Sequence, residues 1–250
     1  MNFLALDTST EYCSVAIWQD GAIMERCELA GQRHSEMLIA MVDALLKDAG
    51  LRIRDMNGIA FGMGPGSFTG VRIACGATQG LALGANLPVA GVCTLQALAE
   101  ASGKPRVIAA LDARMGELYL AAYEKRDGVW ITMAEPCLCK PEDAPKVGNL
   151  LSAKANAEST PPRLPGDDWF GAGSGFAAHG AALARRYSGQ LQGVDGDAIP
   201  RTAAIAVLGA ARFALGLGED AAAALPLYLR DRVALKTSER AQQAGEKTGH

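Results

Sequence analysis

One pattern occurs twice in this chain, and it constrains the fold more than any other feature. The stretch "LALDTSTEYCSVAIWQDGA", beginning at Leu4, is matched by "AALDARMGELYLAAYEKRDGV", beginning at Ala109. In each copy an apolar strand ends at an aspartate, Asp7 or Asp112. A second strand follows, then an Asp-Gly turn at Asp20-Gly21 or Asp127-Gly128, then a third strand. The second copy carries two extra residues between its aspartate and its turn. Two related α/β halves follow from the repetition.

The residues after each copy extend this reading. In the first half, residues 3–6, 13–18 and 22–29 form a three-stranded meander. "HSEMLIAMVDALLKDAG" places Met37, Leu38, Met41, Val42, Leu45 and Leu46 on one helical face. Ser35 is positioned to cap that helix and Gly50 to stop it. A strand over 58–61, a helix over 67–83, a strand over 87–92 and a helix over 95–101 come next. Strands that alternate with helices imply parallel pairing in a mixed sheet.

In the second half, 140–168 is rich in Pro and Gly and reads as loop. "WFGAGSGF" gives a strand, a Gly171-Ala172-Gly173 turn and a helix to about residue 187. Pro200 and Thr202 start an alanine-rich helix, and "LPLYLR", 225–230, closes the ordered fold. The expected division is 1–104, 105–235, and a polar tail, 236–250, expected to be disordered.

Composition narrows the function. The chain has 250 residues, 49% of them hydrophobic, enough for a substantial core. A formal net charge of −3 supplies no basic field for gripping a phosphate backbone unaided. Cys13, Cys27, Cys75 and Cys93 sit singly in apolar surroundings, as free thiols do in a reducing cytoplasm. The Cys137–Cys139 pair lacks the second cluster that a structural zinc site needs. "MNFLALDTST" has no basic n-region and does not read as a secretory signal. "AAIAVLGAARFALGLG" is too short, and interrupted by Arg212, to span a bilayer.

"GMGPGSFTGVR", 62–72, follows a strand and opens a helix, where free backbone N–H groups favour an anion. A phosphate loop of the P-loop type needs Lys and Ser or Thr after its last glycine, but Val71 and Arg72 follow Gly70. A dinucleotide fingerprint fails as well, because Thr69 stands where the third glycine belongs. The bland alternative is a tight turn at Pro65-Gly66 with Ser67 or Thr69 capping the helix. That leaves Gly76, Gly80 and Gly84, a row at i+4 spacing where each glycine costs about 1 kcal/mol relative to alanine. The row admits a close helix neighbour, either within the chain or from another chain.

Taken together, "LALDTS", "HSEMLIAMVDALL", "GPGSFTGVRI", "LQALA", "LDARMGELY" and "PLYLR" make the chain resemble the TsaB (YeaZ) proteins of the TsaD/TsaB family, over about residues 4–230. The resemblance implies a two-lobed actin-like, sugar kinase and Hsp70 ATPase type of fold, made of duplicated ribonuclease H-like halves. It implies a non-catalytic scaffold that binds and activates TsaD, which forms threonylcarbamoyladenosine next to the anticodon of tRNAs reading codons that begin with A. TsaE would complete the assembly and TsaC supply the adenylate. ATP and metal would belong to partner subunits, with none held by this chain alone.

The implied partner interface is His34, Met37, Leu38, Met41 and Leu45 on the first helix with Arg72, Ile73, Gly76, Ala77 and Gly80 on the second, and the isolated chain would form a homodimer through the same surface. tRNA would be reached only through the complex, in the cytoplasm and without a membrane.

The residues agree with a non-catalytic role. TsaD-like proteins hold a metal with two histidines four residues apart; here His34 is followed at that spacing by Leu38. The superfamily's first phosphate loop has glycine two residues after its aspartate, where this chain has Ser9. Asp7, Thr8, Ser9, Asp112, Gly171 and Gly173 are thus at most a vestigial nucleotide cleft. The alternative is an ATP-dependent phosphotransferase or ATPase of the same fold, with Asp7 and Asp112 facing a nucleotide. A peptidase would need a zinc motif or a nucleophile with a matched base, and the sequence displays neither.

Overall fold

A computed structural model describes residues 1–146 and 168–230. The apolar run at the start of the chain forms β1 (Asn2–Asp7), and Phe3 through Leu6 are buried on both faces. That pattern belongs to a central strand covered on both sides. Antiparallel β2 (Tyr12–Gln19) and β3 (Ala22–Leu29) extend one edge, while β4 (Gly58–Gly64) and β5 (Val89–Cys93) add in parallel on the other. The order is β3-β2-β1-β4-β5.

The second half repeats this with β6 (Arg106–Arg114), β7 (Glu117–Arg126), β8 (Val129–Cys139), β9 (Trp169–Ala172) and β10 (Leu191–Asp195). Read from its β8 edge, the order is β8-β7-β6-β9-β10, so the twofold pattern of the sequence is a twofold pattern of sheets.

The helices make layers. α1 (His34–Asp48) and α2 (Phe68–Ala85) cover one face of the first sheet. Leu38, Met41, Leu45 and Val71 meet Leu4, Leu6, Val15 and Ile17 there. The opposite face is lined by Ala5, Ala16 and Ala60, small enough for the alanine-rich α5 (Thr202–Ala214) to lie close. A Cβ on Gly209 would fall on that of Ala60.

In the second sheet β6 alternates. Ile108 and Ala110 meet Phe176 and Leu183 of α4 (Ser174–Arg186), whereas Val107, Ala109 and Leu111 meet Leu95, Leu98 and Ala99 of α3 (Thr94–Ala101). Because α3 and α5 also touch each other, the two lie between the sheets. α5 follows the second sheet in the chain yet covers the first.

Glu25 of β3 fixes α5 there. Its carboxylate accepts hydrogen bonds from the Arg201 guanidinium, the Thr202 hydroxyl and the Ala203 amide. Burial alone would raise this carboxyl, and the three donors outweigh it to hold it below the ordinary glutamate value.

Two local expectations differ from the structure. Arg33, without a side-chain cap, precedes α1, so Ser35 is inside the helix rather than at its cap. Gly50 does end it, at φ 66°. β10 has no counterpart among the strands expected from sequence, because "LQGVD" is short and mostly exposed and carries no apolar run. The parts of the 140–168 loop and of the tail that fall at 147–167 and 231–250 lie outside the described residues.

All six cysteines are free. Burial pushes the Cys13 thiol up to about 12 and Cys75 to about 11, as expected of inert core thiols.

Candidate functional site

The end of β1 and the start of α2 close on each other. The Ser67 amide donates to the Ser9 carbonyl at 2.7 Å, and the Thr8 hydroxyl donates to the Gly70 carbonyl at 2.6 Å. Glycines make this approach possible. A Cβ at Gly62 would overlap the Asp7 carboxylate, one at Gly66 would stand 2.5 Å from the Ser9 oxygen, and one at Gly70 would fall on the Thr8 carbonyl. Ser67 meanwhile caps α2, its hydroxyl accepting from the Gly70 amide at 3.3 Å. The glycines of "GMGPGSFTGVR" therefore hold a backbone contact within the chain.

Asp7, Thr8 and Ser9 are all buried. Asp7 Oδ2 accepts from the Ser9 hydroxyl at 2.8 Å, and Oδ1 has no hydrogen-bond partner among the described residues. Burial pushes this carboxyl up to about 6, against the smaller lowering effects of the Ser9 hydroxyl and the nearby Ser9 and Thr8 amides. The loop into α2 covers the turn that follows Asp7.

Asp112, the counterpart in β6, is half-buried and borders the cleft described below. Its amide donates to the Ser174 hydroxyl at 3.1 Å, its Oδ1 accepts from the Arg114 amide at 2.9 Å, and its Oδ2 lies 3.1 Å from the Arg114 guanidinium. His179 Nε2 stands 3.7 Å from Oδ1, at a non-helical residue inside α4. Gly171 and Gly173, expected in the turn after a strand and in a vestigial nucleotide cleft, serve packing. A Cβ on Gly171 would enter the Phe176 ring, and Gly173, at φ 104°, presses on the Ala110 carbonyl.

Between the two aspartate-bearing strand ends lies a cleft of about 1170 Å³, bordered by Ser9, Ser67 and Thr69 from one lobe and Asp112 and Ser174 from the other, with Tyr228 at its lip. Of the expected cleft residues, Ser9 and Asp112 reach it. Arg114, Tyr228 and Arg230 also line it, and in the sequence only the late "LPLYLR" motif hints at the last two.

The expected interface residues separate into two groups. His34, Leu38, Met41 and Leu45 are buried beneath α1, and His34 Nε2 lies 2.9 Å from the Thr10 carbonyl. An amphipathic pattern marks an apolar face, and here that face is turned to the sheet. Met37 is half-buried, and Ile39 is the large exposed apolar residue of α1.

On α2, Arg72, Gly76 and Gly80 are exposed and Ile73 and Ala77 half-buried, in one continuous stripe that runs on to Leu83 and Gly84. Among the described residues, nothing lies within 4 Å of where a Cβ would stand on Gly76, Gly80 or Gly84. The glycine row therefore serves no packing among them. Also among the described residues, no group of three or more His, Cys, Asp or Glu side chains could hold a metal ion, and no helix is long and apolar enough to cross a membrane.

Two five-stranded sheets of one strand order, with interleaved helices and a cleft between the strand ends, define an actin-like protein built from ribonuclease H-like halves, here with its first loop closed. Residues 26–238 match the family described as TsaD, tRNA N6-adenosine threonylcarbamoyltransferase. The chain belongs to that family, as a homologue of its TsaB proteins.

It is 38% identical over 242 residues to the tRNA threonylcarbamoyladenosine biosynthesis protein TsaB of Escherichia coli (strain K12), covering 94% of this chain and 97% of that one. With the Haemophilus influenzae protein of the same name the identity is 33% over 249 residues, covering 94% and 96%. Among solved structures, YeaZ from Pseudomonas aeruginosa superposes with a TM-score of 0.77 at 35% identity, over 91% of this chain and 99% of that one.

Proposed function

We propose that this chain is a non-catalytic scaffold subunit that binds and activates TsaD in the formation of threonylcarbamoyladenosine in tRNA. One observation carries the reading. The α2 stripe of Arg72, Ile73, Gly76, Ala77 and Gly80 stands open, with no Cβ neighbour at its glycines among the described residues, so a partner helix can approach to backbone distance. Met37 and Ile39 of α1 flank it, in place of the buried His34, Leu38, Met41 and Leu45. The lobes 1–104 and 105–235 act as the body that presents this face.

The closed Asp7 loop supports the non-catalytic part, and ATP and metal are assigned to partner subunits, TsaE among them. The isolated chain self-associates through the same stripe. With a net charge of −3, it reaches tRNA only through the complex, in the cytoplasm.

Gly80→Leu tests the reading. Because the site above Gly80 is open, the variant melts no earlier than the wild type and loses TsaD binding. A variant that still binds overturns the interface.

The cleft of about 1170 Å³ is the observation in favour of the alternative, an ATP-dependent phosphotransferase or ATPase. The purified chain is expected not to turn over ATP. Turnover abolished by Asp7→Ala would establish that alternative instead.

A further inference from the structure

The two lobes are joined at the back of the cleft by α3 and α5, which lie between the sheets. A joint on one side leaves rotation about it free. At the opposite side, residues 224–230 run from the first lobe to the second.

Their first-lobe end is held three ways. The Gln79 side-chain amide donates to the Ala224 carbonyl at 3.1 Å, and the Leu227 amide donates to the Met63 carbonyl at 2.7 Å. The Arg72 guanidinium, 3.2 Å from the centre of the Phe68 ring, also lies 4.8 Å from that of Tyr228. Gly64, at φ 99°, lets the crossing backbone pass close, with the Leu227 oxygen 3.2 Å from where a Cβ would stand.

The second-lobe end is held by Arg230. Its guanidinium lies 2.7 Å from the Glu117 carboxylate of β7 and donates to the Ala113 carbonyl of β6 at 3.0 Å. The Arg230 side chain is only 16% exposed and that of Glu117 28%, so solvent screens this pair less than the outer ion pairs of the cleft rim, such as Arg114 with Asp112, where the arginine is 86% exposed.

We propose that residues 224–230 are a strap across the cleft mouth, latched by Arg230 to Glu117, that fixes the separation of the two lobes. With the α3–α5 joint behind and the strap in front, rotation that would open the cleft has to break the latch first. Nothing in the strap depends on a bound partner, so the inference stands or falls apart from the TsaD-binding reading.

The test uses the full chain with spin labels on keto-bearing amino acids at Gln32 and Ala178, leaving the native cysteines untouched. Both residues are exposed and line the cleft from opposite lobes, away from the strap. Pulsed dipolar spectroscopy on the labelled parent chain, diluted into excess unlabelled chain so that only distances within one protomer are read, should give one narrow distance distribution. Arg230→Met and Glu117→Gln should each widen it and shift it to longer distance, while Arg114→Gln, at the exposed pair, leaves it unchanged. If Arg230→Met does not fold, as judged by its melting curve, Glu117→Gln carries the test from the other end of the pair. A parent distribution that is already broad overturns the strap. So do unchanged distributions in the latch variants, or an Arg114→Gln variant that widens as much as they do.

Discussion

β1 ends at Asp7 and β6 carries Asp112 at the matching place in a sheet of the same strand order, yet the two carboxyls live in different surroundings. Asp7 is sealed under the Gly64-Pro65-Gly66-Ser67 connection into α2. Asp112 stands at a tight turn through Arg114, Met115 and Gly116, all at positive φ, and faces the cleft. In the second half the connection into α4 is shorter, running through Gly173 alone, and does not reach over its aspartate. The contrast teaches that loop length beside a strand end, and not the aspartate or the sheet, decides whether a carboxylate of this fold is presented or buried.

The largest expected effect breaks the closed side. Gly70→Ala forces a methyl group against the Thr8 backbone and should cost about 3 kcal/mol, read as an earlier denaturation midpoint, because backbone cannot swing aside as a flexible side chain does.

Nearly as large is the pH dependence of Asp7. Unfolded it releases its proton near 3.8, and folded near 6, so the native state binds more protons in that window. Stability is then highest below the lower value and falls as pH rises through the upper, by about 3 kcal/mol in all. Asp7→Asn should remove that slope in melting curves taken from pH 4 to 8 (about the window itself). Asp112→Asn should leave it in place.

A third comparison concerns the helices between the sheets. Glu25→Gln unpins the start of α5 and should cost about 2 kcal/mol, since three donors lose a charged acceptor. Glu100→Gln weakens the tie of α3 to Lys125, which is 34% exposed, and should cost about 1 kcal/mol. Urea midpoints of the two variants measure the difference.

The smallest effect has the opposite sign. Gly76→Ala on the open stripe should raise stability by up to about 1 kcal/mol in the isolated chain, through helix propensity alone. A loss of stability at a dilution where the chain is monomeric would mean that the stripe is packed within its own chain after all.

The meander, the two-half repeat, a cap at Ser67 or Thr69 (it is Ser67) and the stop at Gly50 were legible, because each depends on residues close together in the chain. The apolar face of α1 was legible too, but not what covers it. Periodicity in Met37, Leu38, Met41 and Leu45 is the same whether a helix faces its own sheet or another protein. Likewise "GPGSFTG" announced a turn and a cap, while the contact that its glycines serve lies some 60 residues away, at Thr8 and Ser9.

By itself, then, the sequence determined the helices, every strand but β10, and their duplication, since hydrogen-bond geometry and side-chain period act locally. Only the tertiary structure decided that Asp7 is sealed while Asp112 borders the cleft, that α5 returns to the first sheet under Glu25, and that Arg230 meets Glu117 at the second-lobe end of the strap. Each of those joins groups far apart in the chain, and their energies depend on burial and distance, quantities that exist only once the two sheets are in place.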